Sequence, residues 1–223
     1  MPQTVKKFTV LLEMAISTDA QAARRTRIEE AAYEVLRENG YKAASVLAIA
    51  RRARASNETL YKWYGGKQAL FRSLVDANAR EAKTLLQEAL RDGGDPVAAL
   101  AALGPVLLLL VTGEKAVALN RAAAADVSDT GTLGRGIAQG GRDIIGALVG
   151  GVMDAARRAK LIACTDVAQA VETYFGLLIG DLQIRRAIGA IGPLSPKEAQ
   201  VRSQRALDLF LKLHAPAEKA KSR

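Results

Sequence analysis

The sequence predicts an all-α protein, with a small N-terminal three-helix head carrying a helix-turn-helix, joined by a long helix to a larger C-terminal helical body. Three observations predict it. Alanine and leucine dominate and aromatics make up only 4% of the 223 residues, a composition that favours helices and lacks the residues that enrich strands. Apolar residues recur at helical spacing along almost the whole chain, and no stretch alternates with period two. The composition shifts near residue 67, where a compact basic block gives way to long apolar segments.

The elements follow in order. Lys6-Lys7 and the apolar residues 8–16 loosely resemble a signal peptide, but Glu13 puts a charge inside the apolar stretch. Residues 1–20 are therefore read as an N-terminal extension, either a short amphipathic pre-helix or a mobile arm. Ile28, Ala31, Ala32, Val35 and Leu36 share one face of the first core helix, and Gly40 stops it. Two short helices come next, residues 46–53 capped by Ser45 and residues 57–64 capped by Ser56. A long helix is expected over 67–91, with Leu70, Phe71, Leu74, Leu85 and Leu86 inward, ended by Asp92-Gly93-Gly94.

Asp95-Pro96 restarts the chain as an N-cap followed by proline at the first helical position. Residues 97–111 carry no charge, yet a membrane span needs about 20 apolar residues. Gly104-Pro105 also interrupts the run, so a kinked core helix is expected and no membrane partner. An alanine-rich helix leads to a polar loop over 126–132, and glycine-rich residues 133–160 form one helix or two. Residues 166–187 are amphipathic, with Val171, Tyr174, Phe175, Leu178 and Leu182 on one face. Ser195-Pro196-Lys197-Glu198 reads as a capping box that opens the last helix, which presents Ala206, Leu209, Phe210 and Leu213. A disordered tail is expected over 215–223. The domain division is thus 1–20, 21–66 for the head, 67–214 for the body, and 215–223.

Charge and residue inventory narrow the function. Lysine plus arginine number 32 against 23 acids, a net charge of +9 that favours polyanions. With one cysteine, Cys164, and one histidine, His214, the chain lacks the residues for most zinc sites and for Cys-His or Ser-His chemistry. No catalytic residue, metal or cofactor is expected. The glycine run 134–141 follows no strand, so it lacks the context of a phosphate loop and reads as close packing or a helix break. Cys164 and His214 read as structural or incidental.

The block from Ser45 to Lys67 carries the chemistry. Two short helices flank a tight turn at about residues 53–56, a geometry in which the second helix enters the major groove. Arg51, Arg52, Arg54, Lys62 and Lys67 stand against one acid, Glu58, while Ala48, Ile49, Ala53 and Leu60 are placed to pack the two helices together. Ser45, Ser56, Thr59 and Tyr61 offer short hydroxyl reach to phosphates. Asn57, Glu58, Lys62 and Trp63 lie on or near the exposed side of the second helix, as base and groove contacts or as a solvated helix end. Lys67 opens the next helix, where a cation and backbone N–H groups can share a phosphate. Arg54 and its neighbours either touch DNA or supply a steering field.

Residues 25–71 resemble the DNA-binding head of the tetracycline-repressor (TetR) family of transcriptional regulators. The matching elements are Ile28, Ala31-Ala32, Gly40-Tyr41, Ser45-Val46, Ile49-Ala50, Ser56, Thr59-Leu60-Tyr61, Lys67 and Leu70-Phe71. Arg54 stands where the family usually has a turn glycine, Ala55 where a larger aliphatic is common, Tyr64 for phenylalanine, and Gly66 for a polar cap. These departures bear on base preference and leave the motif intact. The resemblance implies Thr59, Tyr61 and Lys67 as phosphate contacts. It also implies a homodimer formed through the last two long helices, 166–187 and 195–214, reading a pseudo-palindromic operator in duplex DNA. The weak leader signal and the short apolar run read as a cytoplasmic protein, and the resemblance implies a repressor released by a small-molecule effector bound in the body. Asn120 and Arg121, which interrupt an alanine-rich helix, and Tyr174 and Phe175 are candidates to line that pocket; core packing is the plainer role for the aromatics. Two other classes compete: a non-specific nucleoid-type DNA-binding protein driven by charge alone, and a helical enzyme, for which no nucleophile-base pair is visible.

Overall fold

The computed structural model describes residues 2–216, with side chains from residue 19. Among the described residues all regular structure is helical. The segment after residue 216, expected as a tail, lies outside them. Contacts divide the chain into two units, Met1–Leu70 and Phe71–Arg223.

The first unit contains α1 (Pro2–Ala43), α2 (Val46–Arg52), α3 (Asn57–Tyr64) and the start of α4 (Lys67–Asn78). Residues 2–18 run into α1 as helix. Gly40 breaks α1 with φ 70° and ψ 173°, a conformation open to glycine. Ile28, Ala32, Leu36, Ile49, Leu60 and Leu70 form the core between these helices. Each of the buried leucines and isoleucines contributes roughly 1.5–3 kcal/mol.

The second unit continues with α5 (Arg80–Asp92), α6 (Pro96–Thr112), α7 (Glu114–Asp126), α8 (Thr132–Ile137), α9 (Asp143–Arg158), α10 (Val167–Leu178), α11 (Leu182–Ala187) and α12 (Pro196–Leu213). Its centre is α6, packed by α5, α9 and α12 through Leu100, Leu103, Leu107 and Leu108. Pro105 is accommodated inside α6, and the bend falls later, at Gly113, where α6 and α7 meet at 53°. No single helix among the described residues is long and apolar enough to cross a membrane. The approach of α12 to α6 is close: a Cβ at Gly104 would stand 2.9 Å from the Ser203 Cβ. Beside it the Tyr174 hydroxyl donates to the Leu100 carbonyl at 3.0 Å.

Two expectations about helix continuity are corrected, and the glycine run is resolved as a helix break. The helix expected over 67–91 is two helices, interrupted at Ala79 (φ −87°, ψ 0°). Alanine is the best helix former, so the interruption comes from packing: α5 lies against α6 and α9. The helix expected over 166–187 is also two, because Gly180 takes φ 53°. Arg202 closes the exposed end of α10 by donating to the Leu178 and Ile179 carbonyls at 2.7 and 3.2 Å. The glycine run of 134–141 forms α8 and most of a π-helical turn, Ala138–Arg142, before α9 begins.

Polar ties, some long-range and some local, join the remaining ends. Arg186 is buried and donates to the Thr112 carbonyl at 2.9 Å, to the Ile191 carbonyl and to the Glu114 carboxylate. Asp126 is buried at the end of α7 and accepts from Thr130 Oγ1 and from the Leu133 N–H. His214 and Ala163 are paired through the Ala163 N–H and the His214 carbonyl at 2.7 Å.

Candidate functional site

The helix-turn-helix is closed locally at every end. Ser45 Oγ accepts from the Ala48 N–H and Ser56 Oγ accepts from the Thr59 N–H, both at 3.1 Å. Between them the Ala55 N–H reaches the Ala50 carbonyl at 2.9 Å and the Arg54 N–H reaches the Arg51 carbonyl at 3.2 Å. This pair of bonds is a Schellman closure, which needs one left-handed residue. Arg54 supplies it, with φ 51°, and thereby occupies a conformation where glycine is favoured by about 1 kcal/mol.

That turn leaves one face of α3 to solvent. Asn57, Glu58, Tyr61 and Lys62 are exposed, Tyr61 at 51%. Leu60 faces inward. Thr59 and Trp63 are only partly exposed and engage α1. Arg24 donates to Thr59 Oγ1 at 3.1 Å, and the guanidinium groups of Arg24 and Arg25 lie 5.4 and 5.9 Å from the Trp63 ring centroid. The three predicted arginines separate. Arg51 and Arg54 are exposed, whereas Arg52 is tied to Glu34 at 3.0 Å and Glu38 at 2.6 Å. The Arg52 hydrogen bond holds the Glu38 carboxyl below its usual range. Lys67 Nζ lies 3.2 Å from the Lys42 carbonyl and 4.1 Å from the Tyr41 ring centroid. The Tyr64 hydroxyl is buried with no hydrogen-bond partner among the described residues. Burial, then the Glu29 charge, pushes its pKa up. Sequence reasoning missed Arg24 and Arg25 as part of this surface, although the basic run Arg24-Arg25-Thr26-Arg27 was the available sign.

The second unit holds a cavity of about 310 Å³. Its wall is mainly apolar and comes from five stretches of chain, including Val75 and Asn78 of α4, Leu107 of α6, Asn120 of α7, and Ile137, Arg142 and Phe175 further on. Two of the four predicted pocket residues, Asn120 and Phe175, line it. The other two do not. Arg121 donates to the Ala187 carbonyl at 2.6 Å and so ties α7 to α11. Tyr174 is fully buried in the core, and its hydroxyl serves Leu100. The π turn packs on α4 at the edge of this cavity: a Cβ at Gly140 would stand 3.4 Å from Val75 Cγ1 and 3.3 Å from Asp76 Oδ1. Asp76 in turn pairs with Lys83 of α5 at 3.0 Å. Among the described residues no group of three or more His, Cys, Asp or Glu side chains is arranged to hold a metal ion.

Comparison with known proteins agrees across the chain. The family model described as bacterial regulatory proteins, tetR family, matches residues 28–74. The model described as AefR-like transcriptional repressor, C-terminal domain, matches residues 98–216, more than half of the chain. The HTH-type transcriptional repressor KstR of Mycobacterium tuberculosis is 38% identical over 80 residues, 36% of this chain and 35% of that protein. The chain therefore matches about a third of that relative's length. Among solved structures, a TetR transcriptional regulator from Agrobacterium tumefaciens is 25% identical with a TM-score of 0.69, over 89% of this chain and 98% of that one. The flavonoid-responsive regulator FrrA is 25% identical with a TM-score of 0.64, over 88% and 99%. Capped helix-turn-helix, cavity-bearing helical body and matches to both halves lead to one conclusion: the chain belongs to the TetR family of bacterial regulatory proteins.

Proposed function

We propose that the protein is a sequence-specific DNA-binding transcriptional regulator, a homodimer that represses nearby genes from a pseudo-palindromic operator until a small-molecule effector releases it. The observation that carries this reading is α3: a helix capped at its N-terminus, packed by Leu60, with Asn57, Glu58, Tyr61 and Lys62 on its free side. A helix so presented can lie in the major groove with its first residues at base edges. Asn57, Glu58 and Lys62 are assigned to bases, and Ser45, Ser56, Tyr61, Lys67 and the left-handed Arg54 to phosphates. Thr59 and Trp63 act through their contacts with Arg24 and Arg25, which orient the basic end of α1. The net charge of +9 speeds encounter with DNA in the cytoplasm.

The head is taken as residues 21–66 and the effector-binding and dimerisation body as 67–214. Ile184 and Ile188 of the α11 region and Val201 and Leu213 of α12 are each more than 60% exposed, which supports a dimer formed through these helices. The cavity supports effector binding, as does the likeness to the flavonoid-responsive regulator FrrA. Coupling would run through α4, which begins with Lys67 and carries Val75 and Asn78 into the cavity wall. Effector and operator then favour different placements of one helix, and each weakens the other by the same factor.

The test is fluorescence anisotropy with duplexes from the region flanking the gene, beside a shuffled duplex, over a range of salt. The expected result is a specificity ratio of about 10³ or more, with Asn57→Ala relaxing one operator position. A ratio near one, with both affinities falling together in salt, would favour the nucleoid-type reading instead.

A further inference from the structure

The cavity of the second unit is uneven in charge. Its polar wall consists of Asn78, Asn120, Gln183 and Arg142, with no carboxylate. We propose that the cavity takes a mainly apolar monoanion, its carboxylate held by Arg142 and its apolar body enclosed by the remaining wall. The inference rests on the effector-binding reading of the body and adds the chemical class of the ligand.

Arg142 is placed for this role by helix register. Along α9 the buried positions are Ile145, Val149, Val152, Met153 and Ala156. Counting back by three from Ile145 gives residue 142, at the solvent-exposed end of that face. The π turn ends at Arg142, and its side chain borders the cavity from this exposed position. π turns inside helices recur at functional sites. The guanidinium lies 5.9 Å from the Phe175 ring centroid and has no hydrogen bond or ion pair among the described residues. This cation-π contact holds the guanidinium beside the ring while leaving its N–H fork free for a carboxylate, the bidentate partner that arginine suits best.

The acids near Arg142 leave it unpaired. Asp143 and Glu172 line a neighbouring groove that Arg142 and Phe175 also border, and neither lines the cavity. A cationic ligand in the cavity would therefore lose water without gaining a countercharge. A neutral ligand would leave Arg142 unused. A volume of about 310 Å³ accommodates about 15 non-hydrogen atoms at protein packing density.

The test uses the full chain and three probes of equal length: decanoate, 1-decanol and decylamine, each titrated by calorimetry. Decanoate is expected to bind about tenfold or more tightly than decanol, the range of a hydrogen bond to a charged group, and decylamine more weakly than both. Arg142→Gln, at an exposed position, is expected to lower decanoate to the level of decanol and leave decanol within about twofold. Arg142→Lys keeps part of the preference, and Ile137→Trp, which fills the cavity, removes binding of both. Equal affinity for decanoate and decanol, a preference for decylamine, or a decanoate preference that survives Arg142→Gln would overturn the proposal. Failure of all three probes to bind would overturn it as well. Equal binding that Ile137→Trp abolishes would remove the anion assignment while leaving the cavity as a ligand site. The regulator reading fails separately, in the anisotropy experiment.

Discussion

In the first unit, helix ends near the turn are closed by residues three to five positions away: Ser45 to Ala48, Ser56 to Thr59, Ala55 to Ala50. In the second unit several ends are closed from far along the chain. Arg186 reaches the Thr112 carbonyl and Arg202 reaches Leu178 and Ile179, while Tyr174 ties α10 to the Leu100 carbonyl inside α6. The first arrangement specifies a reading surface by local rules, so its shape survives wide changes in the rest of the protein. The second ties helices together in pairs, and its irregular segments, at Ala79 and at the π turn, border the cavity. The proposed function draws on both: a head of fixed shape and a body whose packing can respond.

Three substitutions test the contrast, from the largest effect to the smallest. Arg186→Met removes the tie among α6, α7 and α11 and leaves the Thr112 and Ile191 carbonyls without this donor. It should destabilise by about 2–4 kcal/mol, read as a lower urea midpoint. A loss under about 1 kcal/mol would mean that the body is not keyed by its distant contacts. In the head, Arg54→Gly relieves the left-handed residue and should stabilise by about 1 kcal/mol. If Arg54 touches phosphate, the same variant lowers the slope of log affinity against log salt by about one. Destabilisation by Arg54→Gly would show that the arginine side chain supports the turn more than its backbone strains it. Tyr64→Phe removes a buried hydroxyl that has no partner, and should be neutral or stabilising by up to about 1 kcal/mol. A clear loss in thermal unfolding would reveal a hidden partner for that group.

The same contrast explains what could be read from sequence. The caps at Ser45, Ser56 and Asp95 and the capping box at Ser195 and Glu198 were legible, because cap and recipient lie within one turn. The inward faces of α10 and α4 were legible for the same reason: periodicity is local. The break at Ala79 was not, since nothing in the residue opposes a helix there. The break at Gly180 was marked only by a glycine, a residue that also occurs inside α6 and α9. At the cavity, Asn120 and Phe175 stood out as a polar interruption and an aromatic, but Val75, Ile137 and Arg142 became neighbours only through packing. Arg121 and Tyr174 carried the same surface signs as Asn120 and Phe175, and the fold uses them as ties instead.

The near-collision of Gly104 with Ser203 has a consequence for how this protein can change. Any side chain added at 104 meets Ser203 at once, and neither helix can retreat without opening the core around Leu100, Leu103 and Phe210. The two positions therefore behave as one heritable unit. Drift that enlarges one is open only to lineages that have already reduced the other, and a library that varies 104 alone will recover glycine.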